Sequence, residues 1–241
     1  MKFLLTNDDG IAAPGLLALE QLARDLGKAI VVAPKDHESG CSHRVTTASP
    51  FRVLEVGPGR FAVEGTPADC VRIALHDLID GEPYCVLSGI NAGGNLGADI
   101  HHSGTVAAVR EAVLHGLPGI ALSYYQRDRR PFHWQRAIAL AKPIVQQLVS
   151  CSWTPGVFYN INIPNLDELP ADPDVVFCPV DPSPLPINFH RDGDVWHYNA
   201  NYHSRQRTPG CDVDVCFSGK ISVSRIEVTS PAPSGPSFPE K

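Results

Sequence analysis

The chain has 241 residues, with 20 Lys+Arg against 26 Asp+Glu, a formal net charge of −6, 43% hydrophobic and 19% charged residues. This composition excludes an intrinsically disordered chain, and the length allows one large domain or two small ones around a sizeable core. The acidic balance offers no footprint for a nucleic-acid polymer, and the lack of any run of about 18 apolar residues argues against a transmembrane helix and a membrane partner.

Lys2-Phe-Leu-Leu-Thr6 is a short apolar run ended by Asn7-Asp8-Asp9-Gly10, which predicts a buried strand and a loop. Apolar residues at 16, 19, 22, 23 and 26 then form one helical face. Ala29 to Ala33 is a second buried strand, stopped by Pro34. Strand–helix–strand with continuous apolar strands marks a βαβ unit of a parallel sheet. After a polar loop from Lys35 to His43, Phe51–Val56 and Arg60–Glu64 flank Gly57-Pro58-Gly59 and predict a hairpin. Thr66 suits a helix cap and Pro67 a first turn, with helix to about Leu78. Tyr84–Ser88 is the next buried strand, followed by a long Gly/Asn loop from Gly89 to Gly104. Thr105, Ala108, Val109, Ala112 and Val113 mark a helix ending near Gly116, Gly119–Tyr124 a strand, and Phe132–Val149 a long helix with Trp134 on its core face.

Beyond residue 150 the pattern weakens. Phe158–Ile163, Val175–Cys178, Val195–Tyr198 and Ile221–Val228 read as strands among Pro-rich turns. The 22 Pro make up about 9% of the chain, against the usual ~5%. They crowd this half and the last dozen residues, where they predict a frayed tail from Ser230 to Lys241. No internal repeat is present. The fold class is therefore α/β: a doubly wound core over about 1–155, a β-rich extension over 156–229 and a flexible tail over 230–241. Seven Cys without a C-x-x-C, and no apolar export stretch in Met1–Gly10, predict reduced thiols in a cytoplasm, several of them buried; a Cys211–Cys216 disulfide is not expected.

Three loops follow predicted strands, and ligands of open α/β sheets bind beyond the carboxyl ends of strands. In Asn7-Asp8-Asp9-Gly10, adjacent carboxylates repel, and a bound cation holds both ionised; a solvated polar turn also fits these residues alone. Glu38-Ser39-Gly40-Cys41-Ser42 offers hydroxyls for a hard cation or a phosphate, and is equally compatible with an ordinary Ser/Gly loop. The third, Ser88-Gly-Ile-Asn91-Ala-Gly-Gly-Asn95-Leu-Gly97, runs through His101-His102 to Ser103-Gly104-Thr105-Val106 at a helix start. Free N–H groups and the helix dipole make such a start a phosphate seat. The spacing is neither a P-loop nor G-x-G-x-x-G. Two carboxylates, a Ser hydroxyl and an Asn amide are hard oxygen donors, suited to Mg²⁺ or Mn²⁺ and poorly to zinc. Metal beside a phosphate seat points to phosphoester hydrolysis. His101 or His102 could protonate a leaving alkoxide, although surface or packing roles suit them better; His43 and His133 read as structural or solvent-exposed.

These residues carry a resemblance. Leu4-Leu-Thr-Asn-Asp-Asp-Gly-Ile-Ala-Ala-Pro-Gly15, Val32-Ala-Pro34, Ser39-Gly40, Gly65-Thr-Pro-Ala-Asp-Cys-Val71, Ser88-Gly-Ile-Asn-Ala-Gly-Gly-Asn-Leu-Gly-Ala-Asp-Ile100 and Ser103-Gly-Thr-Val106 together resemble the SurE family of metal-dependent 5′/3′-nucleotidases. Agreement is dense to about residue 125 and thinner afterwards, where Asn160-Ile-Asn-Ile-Pro164 and Thr208-Pro-Gly210 still match. The resemblance implies a Rossmann-like core and a C-terminal extension exchanged between subunits of a homodimer or within a homotetramer. It implies Asp8, Asp9, Ser39 and Asn91 as ligands of one divalent cation per subunit. It also implies Asn95, Ser103, Gly104 and Thr105 around the phosphate of a nucleotide substrate. Two stretches depart from the family pattern: Cys41-Ser-His-Arg44, and His102 where many members carry Tyr.

The expected function is a cytoplasmic phosphomonoesterase on nucleoside monophosphates, with Asp8 or Asp9 as general base. Activity on polyphosphate or sugar phosphates, and a non-catalytic binding module like a signalling receiver, are the alternatives. A phospho-aspartate route of the haloacid-dehalogenase kind would need a second Asp where Gly10 stands. The Pro-rich extension, with few residues for a core of its own, is expected to reach onto a partner subunit.

Overall fold

Strands that are apolar throughout need cover on both faces, and the fold supplies it. The computed structural model describes residues 2–79, 81, 85–127, 131–165 and 170–228. In chain order the elements are β1 (Lys2–Thr6), α1 (Pro14–Arg24), β2 (Lys28–Pro34), β3 (Val53–Gly57), β4 (Arg60–Val63) and α2 (Pro67–Ile73), which widens into a π-helical turn, Ala74–Leu78. Then come β5 (Cys85–Asn91), α3 (Gly104–Leu114), β6 (Gly119–Gln126), α4 (Trp134–Ser150) and β7 (Val157–Asn165). The last third holds β8 (Val175–Phe177), β9 (Phe189–Asp192), β10 (Val195–Tyr198), α5 (Asp212–Phe217) and β11 (Ile221–Glu227).

Nine strands form one sheet in the order β3-β4-β2-β1-β5-β6-β7-β11-β8. The run from β4 to β7 is parallel throughout. β3 joins one edge antiparallel to β4, and β11 joins the other antiparallel to β7, with β8 parallel outside it. The chain moves outward from β1 through β2 to β4, then returns to lay β5, β6 and β7 on the other side of β1. The winding therefore reverses between β1 and β5, and the crevice beyond their carboxyl ends is where such sheets bind ligands.

Alternation along β1 shows how the layers are built. Phe3 and Leu5 pack with Leu16, Leu19 and Leu22 of α1 and Ile138, Ile144 and Leu148 of α4. Leu4 points the other way, onto Cys70 and Val71 of α2 and Ala108 and Ala112 of α3. Each fully buried side chain of this size contributes about 1.5–3 kcal/mol. Thr66 caps α2 in a reciprocal capping box with Asp69, and Pro67 occupies the first turn as its fixed φ suggests.

The structure departs from the sequence reading in four places. β5 continues through Gly89 and Ile90 to Asn91, because β6 pairs with it as far as Asn91–Ser123. A single 3₁₀ turn, Gly97–His101, interrupts the predicted loop. β9 forms as the partner of β10, and α5, too short to show a period, buries Val213, Cys216 and Phe217 against Leu96 and Tyr125. β11 and β8 extend the main sheet, whereas the β9–β10 hairpin stands apart with every residue exposed. All seven cysteines are free thiols. Tyr84 and the Ser230–Lys241 tail lie outside the described residues.

Candidate active site

The first loop is a turn closed by its own side chain: Asn7 donates from Nδ2 to the Gly10 carbonyl at 3.0 Å. Asp8 is 3% exposed and accepts a hydrogen bond from the Thr105 hydroxyl. Burial raises its pKa above the ordinary carboxylate range, and Asp9 adds to the rise, while the Thr105 bond opposes it. Asp9 is more open. Its Oδ2 accepts from the Ala92 N–H at 3.2 Å and its Oδ1 lies 3.6 Å from Nδ1 of His37. Asn91 closes β5 and spends an amide N–H on the Gly93 carbonyl at 3.0 Å.

The second loop is held over the first, with the Glu38 N–H donating to the Asp8 carbonyl at 2.8 Å. Ser39 and Gly40 form an exposed turn, with φ +75° at Gly40. Ser42 fastens this loop to the third: its N–H donates to the His102 carbonyl at 3.1 Å and its hydroxyl to the His101 carbonyl at 2.7 Å. The side chains of His101 and His102 remain exposed at the rim. His43 turns away from the crevice to Glu111, 2.7 Å distant, which also takes Arg72 at 2.8 Å and His115 at 3.0 Å. The structural reading of His43 holds.

The third loop delivers the start of α3. Ser103 caps it by accepting from the Val106 N–H at 3.0 Å. At Gly104 a Cβ would lie 2.8 Å from Asp8 Cβ and 2.9 Å from Cys41 Sγ. Only glycine lets the positive end of α3 come this close to a buried carboxylate, an arrangement the helix dipole favours. Asn95 is buried. Its side chain donates to Ser123 Oγ at 2.8 Å, and Ser123 is the register partner of Asn91. Asn160 and Asn162 hold it by the backbone: both donate to the Asn95 carbonyl, at 2.8 and 3.1 Å, and Asn162 Oδ1 accepts from its N–H at 2.8 Å.

The crevice thus gathers Asp8, Asp9, Asn91, Ser103, Gly104 and Thr105, with Asn95 beneath and Ser39 at the exposed mouth. The donors offered are hard oxygens. Among the described residues no group of three or more His, Cys, Asp or Glu is arranged to hold a metal ion, so a cation here would draw on hydroxyl and amide oxygens besides the two carboxylates. That donor chemistry fits Mg²⁺ or Mn²⁺, and a positive charge there would restore the ionised state that burial disfavours at Asp8. Two buried oxygens, Asn7 Oδ1 just past β1 and Ser88 Oγ beside the last residue of β1 in the β5 register, have no hydrogen-bond partner among the described residues.

Residue-by-residue reading missed Asn160, Asn162, Asp99 and Glu111. One signal was present: Asn160-Ile-Asn162 places two amides on the same face of an otherwise apolar strand, at period two.

The chain matches the family model described as Survival protein SurE over residues 3–178. A Nostoc sp. protein provisionally named a 5′-nucleotidase is 47% identical over 229 residues, 95% of this chain and 100% of that protein. A Caulobacter vibrioides protein named 5′-nucleotidase SurE is 38% identical, over 95% of this chain and 90% of its own length. The SurE protein from Aquifex aeolicus superposes with a TM-score of 0.84 at 30% identity, covering 96% of this chain and 95% of that one.

Proposed function

The chain belongs to the SurE family, and from that membership together with the crevice we propose that it is a divalent-metal-dependent phosphomonoesterase, hydrolysing nucleoside monophosphates to nucleoside and phosphate. One observation carries the chemistry: a carboxylate pair and the N-terminus of α3 meet at the winding reversal of the sheet, within contact distance through Gly104.

Asp8, Asp9, Ser39 and Asn91 would hold one Mg²⁺ or Mn²⁺ per subunit. A cation held there would supply polarisation of a phosphoryl oxygen and activation of water as a nucleophile. Ser103 and the Gly104 N–H at the start of α3 would face the phosphate, with Gly104 allowing close approach, and Thr105, whose hydroxyl is given to Asp8, would sit beside it. Asn95 braces the same loop through Ser123. Of the two carboxylates, Asp9 is the more open and would accept the proton of the attacking water, a reading supported by the bond that Asp8 accepts from Thr105.

The β9–β10 hairpin supports assembly. Ile187, Phe189, Val195, Trp196 and Tyr198 are all more than half exposed, with Phe189, Trp196 and Tyr198 on one face of the hairpin, apolar side chains that water solvates poorly. A second copy of this chain is the proposed cover, within a homodimer or homotetramer. Among the described residues no helix is long and apolar enough to cross a membrane, and a cytoplasmic location accords with the free thiols.

The test is a panel of 5′- and 3′-nucleotides, polyphosphate and an aryl phosphate, each with Mg²⁺, Mn²⁺ or chelator. Phosphate release from nucleoside monophosphates that requires metal is expected. Activity that survives complete chelation would overturn the reading, and release from polyphosphate alone would move the substrate class.

A further inference from the structure

A loop that seats an anion must hold its shape, and here the fastening comes from the C-terminal third of the chain. Asp99 organises the stretch from Leu96 to Ser103. Its carboxylate accepts from the Leu96 N–H at 3.1 Å, and its carbonyl accepts from the N–H groups of His102 at 2.9 Å and Ser103 at 3.0 Å. The same carboxylate oxygen takes the Tyr202 hydroxyl and, at 3.1 Å, Nη1 of Arg205. Arg205 Nη1 also donates to the Leu96 carbonyl at 3.3 Å, and its guanidinium lies over the Tyr202 ring, 5.2 Å from the centroid. Gly97 sits directly on this group: a Cβ there would come within 2.8 Å of Arg205 Nη2. Its N–H is held at 2.9 Å by Asp212, the first residue of α5.

The energetics are informative. The Arg205 side chain is 0% exposed, yet its Nε and Nη2 have no hydrogen-bond partner among the described residues. A guanidinium buried with donors unspent costs stability rather than adding it. Burial and the Asp99 charge raise the Tyr202 phenol above its ordinary value, so it stays protonated and keeps donating. What the pair supplies is a fixed position for Asp99, and through it for the backbone that ends at the Ser103 cap.

We propose that Tyr202 and Arg205 are positioning residues of the phosphate seat: acting through Asp99, they set the backbone from Leu96 to Ser103 and hence the start of α3, on which substrate and product phosphate are held. This rests on the reading of the crevice as a phosphomonoesterase site. The metal-side residues Asp8, Asp9 and Asn91 lie on the β1 and β5 ends, coupled to the clamped stretch only at second hand, through Thr105 on Asp8 and through Ser42 on the His101 and His102 carbonyls.

Tyr202→Phe and Arg205→Lys test it. Loss of a well-formed seat removes binding common to ground and transition states, which raises KM more than it lowers kcat. For Arg205→Lys the KM for a nucleoside monophosphate and the inhibition constant of inorganic phosphate should rise together by about tenfold, with kcat within about threefold. Tyr202→Phe, which deletes one hydroxyl and keeps the ring, should move both constants in the same direction by about threefold. The Mn²⁺ concentration for half-maximal activity should shift less than the two phosphate constants in both variants. Unchanged phosphate affinity in both, or an equal loss of metal and phosphate affinity, overturns the proposal. If the wild type hydrolyses no nucleotide, the functional reading fails by itself. Calorimetric binding of inorganic phosphate with Mg²⁺ then decides the clamp: weaker binding in the variants sustains it, and equal binding, or none in the wild type, overturns it.

Discussion

Gly104→Ala adds one methyl group at the closest approach in the crevice. That methyl would stand 2.8 Å from Asp8 Cβ, 2.9 Å from Cys41 Sγ and 3.0 Å from Asp8 Oδ2. Ordinary carbon contacts lie at about 3.5–4.0 Å, so roughly 1 Å must be found. Cys41 is half-buried in a loop and can give way. Asp8 cannot, because it is buried in a turn closed by Asn7 and its carboxylate is held by Thr105. The start of α3 must therefore retreat from the carboxylates by about 1 Å. Overpacking of this kind costs about 1–3 kcal/mol, and the better helix propensity of Ala offsets up to about 1 kcal/mol of it. For a chain of this size the remainder is a fall in Tm of a few degrees, at about 2–4 °C per kcal/mol. Activity should suffer far more, since a displacement of about 1 Å at a reacting centre can cost about 10²-fold. The assay is metal-saturated phosphate release from a nucleoside monophosphate, run beside scanning calorimetry. A variant with kcat/KM within about threefold of wild type and an unchanged Tm would refute the claim that α3 presses its N-terminus onto Asp8.

Asp9→Asn should lower turnover by about 10³-fold while leaving the circular dichroism spectrum and Tm unchanged; near-normal phosphate release would remove Asp9 from the chemistry. Glu111 contributes through pH. Its hydrogen bond to His43, with those from Arg72 and His115, brings its pKa down from 4.5 to about 2 against the opposing effect of burial. A depressed folded-state pKa gives stability that is fully present above the unfolded value of 4.5 and lost as pH falls through about 2, about 3 kcal/mol in all. Urea unfolding from pH 7 to pH 2 should show that loss in the wild type, and Glu111→Gln should be less stable at pH 7 with a flatter acid limb; parallel curves would dismiss the assignment. Trp196→Glu, on the exposed hairpin, should shift the protein toward monomer in sedimentation velocity without lowering subunit Tm, and an unaltered assembly would place the interface elsewhere.

The parallel core was legible because its signals are local. Phe3–Leu5 and Ala29–Ala33 are apolar without a break, as strands covered on both faces must be, and the Leu16 helix keeps its face at helical spacing. Thr66-Pro67 announced the start of α2 through a cap that spans only four residues. The Asp8-Asp9 pair and the Ser103-Gly104-Thr105 helix start were legible for the same reason, each being a short run whose chemistry does not depend on what faces it. What the residues could not specify was which strand lies beside which. β9 is exposed on every residue and exists through its pairing with β10, and β5 outruns its apolar stretch because β6 provides hydrogen bonds past Gly89. α5, with six residues, is too short for a period to show and is stabilised by what it covers.

The sequence by itself determined the α/β class, the strand-ending loops and the hard-oxygen character of the candidate ligands. Those follow from side-chain chemistry and spacing along a single chain. The tertiary structure decided that these loops meet at the β1–β5 reversal. It decided that Gly104 is the point of contact between a helix dipole and a buried carboxylate. It also brought Arg205, more than a hundred residues away in sequence, to the carboxylate of Asp99. Contacts of that range are set by strand order and burial, and only the folded sheet defines them.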